Sequence, residues 1–292
     1  MTRQFDLPVP RELVGDNAPS VLPGDDPAIL GTARLTPTDP VEVRTFQSFT
    51  LTYTVGSLGI DDTGGIRIAC RRIGDAGLLQ TKDPKAPNYV SAESNGEGRL
   101  SLSYSRRGGQ RPWGEILTIT QHGGYLRPGE TITVHIGDRR GGSPGLLIQT
   151  FAEAARDYVV MADVQATGNF YPLPDLQLYV LIIPGPPALW KGVTATQRRV
   201  GEPFFLGIKA EDRWGNPAVP PACEVRIEAS RPVSGLSEQI RFDGRTTTVT
   251  AEGLTCDTEG PVSFTLSIDG APVATAGPLM ITAGKLAGYW AD

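Results

Sequence analysis

Histidine and cysteine are nearly missing from this chain. His122 and His135, with Cys70, Cys223 and Cys256, are all it holds in 292 residues. That leaves little material for metal or nucleophilic chemistry, and no Cys-x-x-Cys or His-x-His spacing supports a metal site. Long apolar runs are also scarce. The longest, Leu178 to Pro187, is too short and too proline-rich to span a bilayer. The net charge of −5 comes without a dense basic stripe, which argues against a nucleic-acid surface. No positive n-region followed by an apolar stretch opens the sequence, so the expected compartment is the cytoplasm, with reduced thiols. The cysteines then read as small buried hydrophobes. An odd count still permits one bridge, and Cys223 with Cys256 is the pair that shares a domain.

What is abundant is punctuation. Thirty-five glycines and 25 prolines separate short apolar runs, and helix formers do not cluster, which points to β-sandwiches rather than α/β layers. The length fits about two domains. Residues 1–30 carry Pro8, Pro10, Pro19, Pro23 and Pro27 and predict an extended arm.

From about residue 31 the pattern alternates. In Phe49-Thr-Leu-Thr-Tyr-Thr-Val55 the apolar residues take odd positions and threonines the even ones, the period of a strand with one buried face. Ile66 to Cys70, Leu100 to Tyr104, Ile116 to Thr120, Thr131 to Ile136, Tyr158 to Val164 and Leu176 to Ile183 continue the series. Turn signals stand between them, including Asp62-Thr-Gly-Gly65, Asn95-Gly96 and Arg127-Pro-Gly129. Residues 31–185 therefore predict one antiparallel sandwich, with Phe151 to Asp157 read as a short helical turn.

Pro184-Gly-Pro-Pro187 is the best domain boundary, because prolines cannot donate to a ladder. Residues 186–283 predict an immunoglobulin-like sandwich. Its strands run Gly192 to Val200, Phe204 to Ala210, Cys223 to Ala229, Thr246 to Ala251, Val262 to Ile268 and Pro278 to Thr282. Asp269-Gly270 reads as a hairpin turn. The fold class is thus all-β, two consecutive antiparallel β-sandwich domains, the second immunoglobulin-like. The last residues, 284–292, include Tyr289, Trp290 and Asp292 and read as the first strand of a further domain.

Polar constellations are few. His135 has opposite parity to Ile132, Val134 and Ile136 and reads as a surface histidine; His122, in Gln121-His-Gly-Gly124, reads as a loop histidine. Gly137-Asp138-Arg139-Arg140-Gly-Gly-Ser-Pro-Gly145 could cradle an anion, but no helix follows it and the Walker spacing is absent. A structural loop in which the arginines pair with Asp138 or other acids is the stronger reading, with contact to another domain as the functional one. Arg106-Arg107-Gly-Gly-Gln-Arg111-Pro-Trp113 joins three cations to an indole, which could bind an anion or stack on a sugar; a loop whose Trp caps the sheet edge is the simpler account. Trp214, in Asp212-Arg-Trp-Gly-Asn-Pro217, reads as a cover for the open end of the second sandwich, and Asp61-Asp62 as a turn. No catalytic set has motif support.

Several segments together resemble a known family. They are Phe49 to Gly65, Lys82-Asp-Pro-Lys-Ala-Pro-Asn-Tyr-Val90, Gly137 to Gly145 with Gln149-Thr-Phe151, and Arg199-Val-Gly-Glu-Pro203 leading to Ala210 to Pro217. The set resembles the N-terminal half of a bacterial family of uncharacterised proteins. Members join β-sandwiches to a C-terminal metal-dependent hydrolase domain of the polymerase-and-histidinol-phosphatase (PHP) type. The resemblance covers most of residues 41–292. It implies that Tyr289 to Asp292 leads into a first histidine motif, and that the divalent metal and its ligands belong to that further domain. No catalytic residue, metal ligand or cofactor is then expected in this chain. The expected role is a non-catalytic accessory region that packs on the catalytic domain or another protein surface, with a share in oligomerisation, and without nucleic-acid or membrane contacts. The contact residues expected are Arg106, Arg107, Arg111, Trp113, Asp138, Arg139, Arg140 and Trp214. The alternative is a stand-alone ligand- or carbohydrate-binding module, with Trp113 and neighbouring aromatics as its stacking platform. That module should expose an aromatic row, whereas Phe49, Tyr53 and Tyr104 share the apolar parity of a core.

Overall fold

The computed structural model describes residues 27–108, 113–174 and 178–283. The chain divides after Ile183 into two compact units. Both are β-sandwiches, so the all-β class with an immunoglobulin-like second unit is the observed one. No helix among the described residues is long and apolar enough to cross a membrane.

The first unit opens with α1 (Pro27–Leu30), followed by β1 (Thr32–Thr36), β2 (Val41–Glu42), β3 (Phe46–Gln47), β4 (Phe49–Thr54) and β5 (Gly65–Cys70). Next come β6 (Val90–Ser94), β7 (Arg99–Ser105), β8 (Glu115–His122) and β9 (Thr131–Ile136). It closes with β10 (Leu146–Leu147), β11 (Glu153–Asp163), β12 (Tyr171–Pro172) and β13 (Leu178–Ile183). One sheet has the order β1-β4-β9-β6. The second runs β2-β13-β11-β5-β8-β7, with β12 beside β11, and β3 pairs with β10 in a separate two-stranded ribbon. The alternation is what separates core from solvent. Phe49, Leu51 and Tyr53 of β4 and Ile132, Val134 and Ile136 of β9 are buried, while the residues between them are half-exposed. Facing them, Ile66 and Ile68 of β5 and Ile119 of β8 come from the other sheet. The Phe49 and Tyr158 rings, 6.5 Å apart, join the two layers. Each such side chain is worth roughly 1.5–3 kcal/mol when removed from water.

Three expectations for this unit need correction. Pro27 to Leu30 is one helical turn rather than part of an extended arm, and Ile29 and Leu30 are buried in the core. The turn is held by the Tyr53 hydroxyl, which donates to the Leu30 carbonyl at 2.7 Å. Residues 153–157 lie in β11, not in a helical turn. Glu153 and Arg156 pair with Ile182 and Val180 of β13, and this ladder holds the bulged Ala154 and Ala155 between them extended against their helix propensity. His122 ends β8 instead of lying in a loop, opposite Arg99 of β7.

The second unit has β14 (Pro187–Thr194), β15 (Gln197–Arg199), β16 (Phe204–Asp212), β17 (Cys223–Ala229), β18 (Gln239–Phe242), β19 (Thr248–Leu254), β20 (Gly260–Ile268) and β21 (Ala271–Thr282). Its sheets are β14-β16-β19 and β15-β21-β20-β17-β18. The single strand expected over Gly192 to Val200 is therefore two. The chain changes sheets at Ala195 and Thr196, pairing first with β16 and then, in parallel, with β21. Val262, Phe264 and Leu266 are fully buried, as their parity requires. Trp190 meets Phe242 edge-on at 5.0 Å across the layers. Asp269 (φ 49°) and Gly270 (φ 79°) make the left-handed turn that a two-residue hairpin needs. All three cysteines are free.

Candidate functional site

The first unit gathers its polar loops at one end, beyond Ile136 of β9 and Phe49 of β4. Gly137 turns the chain there at φ 73°, where an added Cβ would lie 2.5 Å from the Gln47 carbonyl oxygen. The next residue, Asp138, is buried and anchors the loop. Its carboxylate accepts from the Arg140 backbone N–H at 2.9 Å, from the Arg140 guanidinium at 3.0–3.2 Å and from the Ser91 hydroxyl at 2.5 Å. Burial alone would raise this carboxyl; the Arg140 and Ser91 bonds outweigh it and hold it well below the usual range. Arg140 also reaches Glu93 at 3.4 Å, and Glu93 accepts from His135 Nε2 at 3.0 Å. The His135 Nδ1 is 3.4 Å from the Thr50 hydroxyl. Arg139 turns the other way and donates to the Phe46 carbonyl.

A second loop interlocks with the first. Gln80 Oε1 accepts from the Lys82 and Asp83 backbone at 2.9 Å, and its amide donates to the Asp83 carbonyl at 2.7 Å. Asn88, at φ 65°, donates its backbone N–H to the Gly145 carbonyl at 2.8 Å, and its side-chain oxygen accepts from Leu147 N–H at 2.9 Å. Gly141 sits over Pro84, whose Cβ would be 2.5 Å from an added Cβ. Further along, Asp75 accepts from the Thr150 N–H at 3.0 Å and from its hydroxyl. The buried Gln149 links Glu153, at 2.7 Å, to Arg156. Lys82 to Val90, Gly137 to Gly145 and Gln149 to Phe151 therefore form one cluster. Gln80, Asn88 and the Asp75–Thr150 latch were not singled out by sequence. Their signal is the requirement for a bonding side chain beside Gly and Pro, visible only once both loops are placed. Phe46, Leu78 and Phe151 are exposed at this end.

The other expected residues are dispersed. Arg106 is half-buried and Arg107 exposed in the turn after β7, where the Ser105 hydroxyl accepts from Arg107 N–H at 3.2 Å. Arg111 lies outside the described residues, as do Tyr289 to Asp292. Trp113 packs partly buried beside Ala69, Ile116 and Met161. Trp214 belongs to the second unit. The residue is 42 % exposed with the Arg213 guanidinium 5.0 Å from the ring centre, and it is not among the side chains packed on the second core, so it does not cover it. Its loop is fixed by Asp212, a buried carboxylate that accepts from Trp214, Asn216 and Gly185 N–H groups at 2.8–2.9 Å. His122 and His135 lie on different sheets, His122 Nε2 being 2.8 Å from the Ser101 hydroxyl.

Chemically, the cluster offers a preformed hydrogen-bonded platform. Its carboxylates are occupied by arginine, serine and backbone donors rather than aimed at open space. Among the described residues no three His, Cys, Asp or Glu side chains are grouped to hold a cation. Inside the sandwich, Cys70 donates to the buried Glu115 at 3.8 Å, and burial pushes its thiol up to about 11.

No family model matches the chain, and no curated protein matches it in sequence. Among solved structures it is similar to the Escherichia coli adhesin FdeC, at 16 % identity over 89 % of this chain and 65 % of that one, with a TM-score of 0.33. It is also similar to the Yersinia pseudotuberculosis adhesin InvE, at 11 % identity over 83 % of this chain and 56 % of that one, TM-score 0.25. A cohesin module from a Clostridium perfringens family 33 glycoside hydrolase matches 54 % of this chain and 99 % of its own, at 12 % identity and TM-score 0.30. The chain thus spans less than two thirds of the two adhesin structures.

Proposed function

We propose that this chain is a non-catalytic β-sandwich accessory region that presents the loop end of its first unit to another protein. The partner is the metal-dependent hydrolase domain implied by the family resemblance. One observation carries the reading. Two of the four motif segments that carry the resemblance, Lys82 to Val90 and Gly137 to Gly145 with Gln149 to Phe151, fold into one interlocked platform, with Phe46, Leu78 and Phe151 exposed around it. A surface already ordered by its own hydrogen bonds loses little entropy on docking, and large apolar side chains supply the contact energy. Any divalent metal belongs to the partner, and hydrolysis by metal-activated water would be its chemistry.

Two measurements test this. Purified chain given manganese or zinc should turn over neither generic esters nor phosphoesters; metal-dependent turnover would overturn the non-catalytic assignment. A hydrolase domain of the resembled type, added in trans, should protect amides of residues 80–90 and 137–151 from exchange. Protection elsewhere, or none, would refute the docking surface. The second reading, a carbohydrate-binding module, is favoured by the exposure of Trp214, the expected Trp113 being partly buried. Glycan-array binding lost in Trp214→Ala would select it.

A further inference from the structure

The outer face of the β14-β16-β19 sheet is a small apolar and charged square. On β16, Leu206, Ile208 and Ala210 point into the core, so Phe205, Gly207, Lys209 and Glu211 point out. Beside them lie Leu189, Lys191 and Val193 of β14, with Lys191 opposite Lys209 and Val193 opposite Gly207. On the other side lie Thr248 and Thr250 of β19, opposite Lys209 and Gly207. Glu252 keeps the outward parity and falls in the irregularity beside Phe205.

Three features of this square point to its occupant. Its apolar members are well exposed: Leu189 46 %, Val193 52 % and Phe205 41 %. Its centre is a shallow dip: Gly207 is itself buried between its neighbours, yet an added Cβ there would meet nothing closer than the Val193 carbonyl oxygen at 3.7 Å. Its charges are unevenly placed. Lys191 and Lys209 both hold the Glu211 carboxylate, at 2.6 and 2.5 Å, leaving one net positive charge. Glu252, at the diagonally opposite corner, is exposed and makes no ion pair with any described residue.

We propose that this face pairs with the same face of a second copy of the chain. A two-fold axis in the interface plane, running diagonally over Gly207, crosses the two sheets at about 90°, one of the two preferred sheet packings. Reflection of the square about that diagonal seats Val193 on Phe205 of the second copy and Phe205 on its Val193. It also brings Lys191 to Glu252 of the second copy, and Lys209 to its Thr250. Gly207 lies on the axis, and the dip left by its missing side chain gives the Val193 and Phe205 side chains of the two copies room to interleave. The arrangement is isologous, as a two-fold requires. Three strands make a small interface, so the dimer is weak.

Sedimentation equilibrium of the full chain tests the proposal. A monomer–dimer equilibrium with a Kd of about 10–100 µM is expected, weakening several-fold as salt rises. Val193→Asp should weaken it by about tenfold or more. Lys191→Gln and Glu252→Gln should each weaken it by about threefold, and the double variant no further than either single, because the two share one pair. Circular dichroism melting of each variant checks that the exposed substitutions leave the fold intact. A chain monomeric up to about 1 mM, a dimer indifferent to Val193→Asp, or additive effects of the two glutamines would each overturn it.

Discussion

Arg140 closes on the Asp138 carboxylate two residues before it, with Nε 3.1 Å from Oδ1 and Nη2 3.0 Å from Oδ2. The pair turns a glycine-rich stretch into a fixed loop. Asp138 is buried and takes a second set of bonds from Ser91, while Arg140 is more than half exposed and reaches on to Glu93. The two partners are therefore not equivalent. Asp138→Ala strands the Ser91 hydroxyl and the Arg140 N–H and should cost about 2–3 kcal/mol. Arg140→Ala leaves Asp138 its backbone and serine donors and should cost about 1 kcal/mol. Urea midpoints of the first unit's transition give the comparison, and equal losses would refute the asymmetry.

The same bonds set an acid limit. At Asp138, Glu211 and Asp212 burial works to raise the carboxyl, but hydrogen bonds and cations prevail and each is depressed. A depressed folded-state value means stability is fully present above the unfolded value, about 4. It is then lost as the pH falls through the lower folded values. Unfolding free energy should be flat in these groups' contribution from about pH 5 upward and decline toward pH 2. In Asp138→Asn the slope of that decline should be shallower. An unchanged slope, measured by urea titration at successive pH values, would show that Asp138 titrates alike in both states.

How much of this was legible varied with the physics of each segment. Where one face is buried and the other wet, period two is written into the residues, and Phe49 to Thr54, Thr131 to Ile136 and Val262 to Ile268 were read directly. Strands with a single buried side chain leave no such trace. In Thr32 to Thr36 only Leu35 is buried, and in Val90 to Ser94 only Val90. Ala154 and Ala155 misled in the opposite sense, because their helix propensity is local and the pairing that overrides it is not. The Asp138–Arg140 pair could be suspected from adjacency alone. The bond from Asn88 to residue 147 could not, since it depends on two loops meeting 59 positions apart.

Thiol chemistry distinguishes the three cysteines. Cys70 is buried, and burial pushes its thiol up to about 11, so the thiolate is scarce at neutral pH and shielded from reagents. Cys256 is also buried, whereas Cys223 is half-exposed; burial raises both of these thiols too, so access rather than acidity sets Cys223 apart. In native protein a chromogenic disulfide reagent should therefore consume about one equivalent quickly, and Cys223→Ser should remove that phase. The remaining two should appear only on unfolding in urea. Fast labelling in Cys223→Ser would contradict the burial of the other two.

Asn88 allows backbone geometry and hydrogen bonding to be separated in the loop platform. Its φ of 65° is a region that L-residues enter at a cost of roughly 1–2 kcal/mol, least for asparagine and glycine. Its side-chain oxygen is also the acceptor for Leu147 N–H. Asn88→Gly keeps the conformation and loses the acceptor, so it should cost about 1 kcal/mol. Asn88→Ala loses both and should cost about 2–3 kcal/mol. Asn88→Asp keeps the acceptor and should stay within about 1 kcal/mol of the original chain. Amide exchange at Leu147 resolves the cause: it should quicken alike in the glycine and alanine variants, which both lack the acceptor, and stay slow in the aspartate. If alanine and glycine were equally stable, the left-handed turn would carry no strain. If Leu147 exchanged at the same rate in all three, the two loops would be held together by packing rather than by this bond.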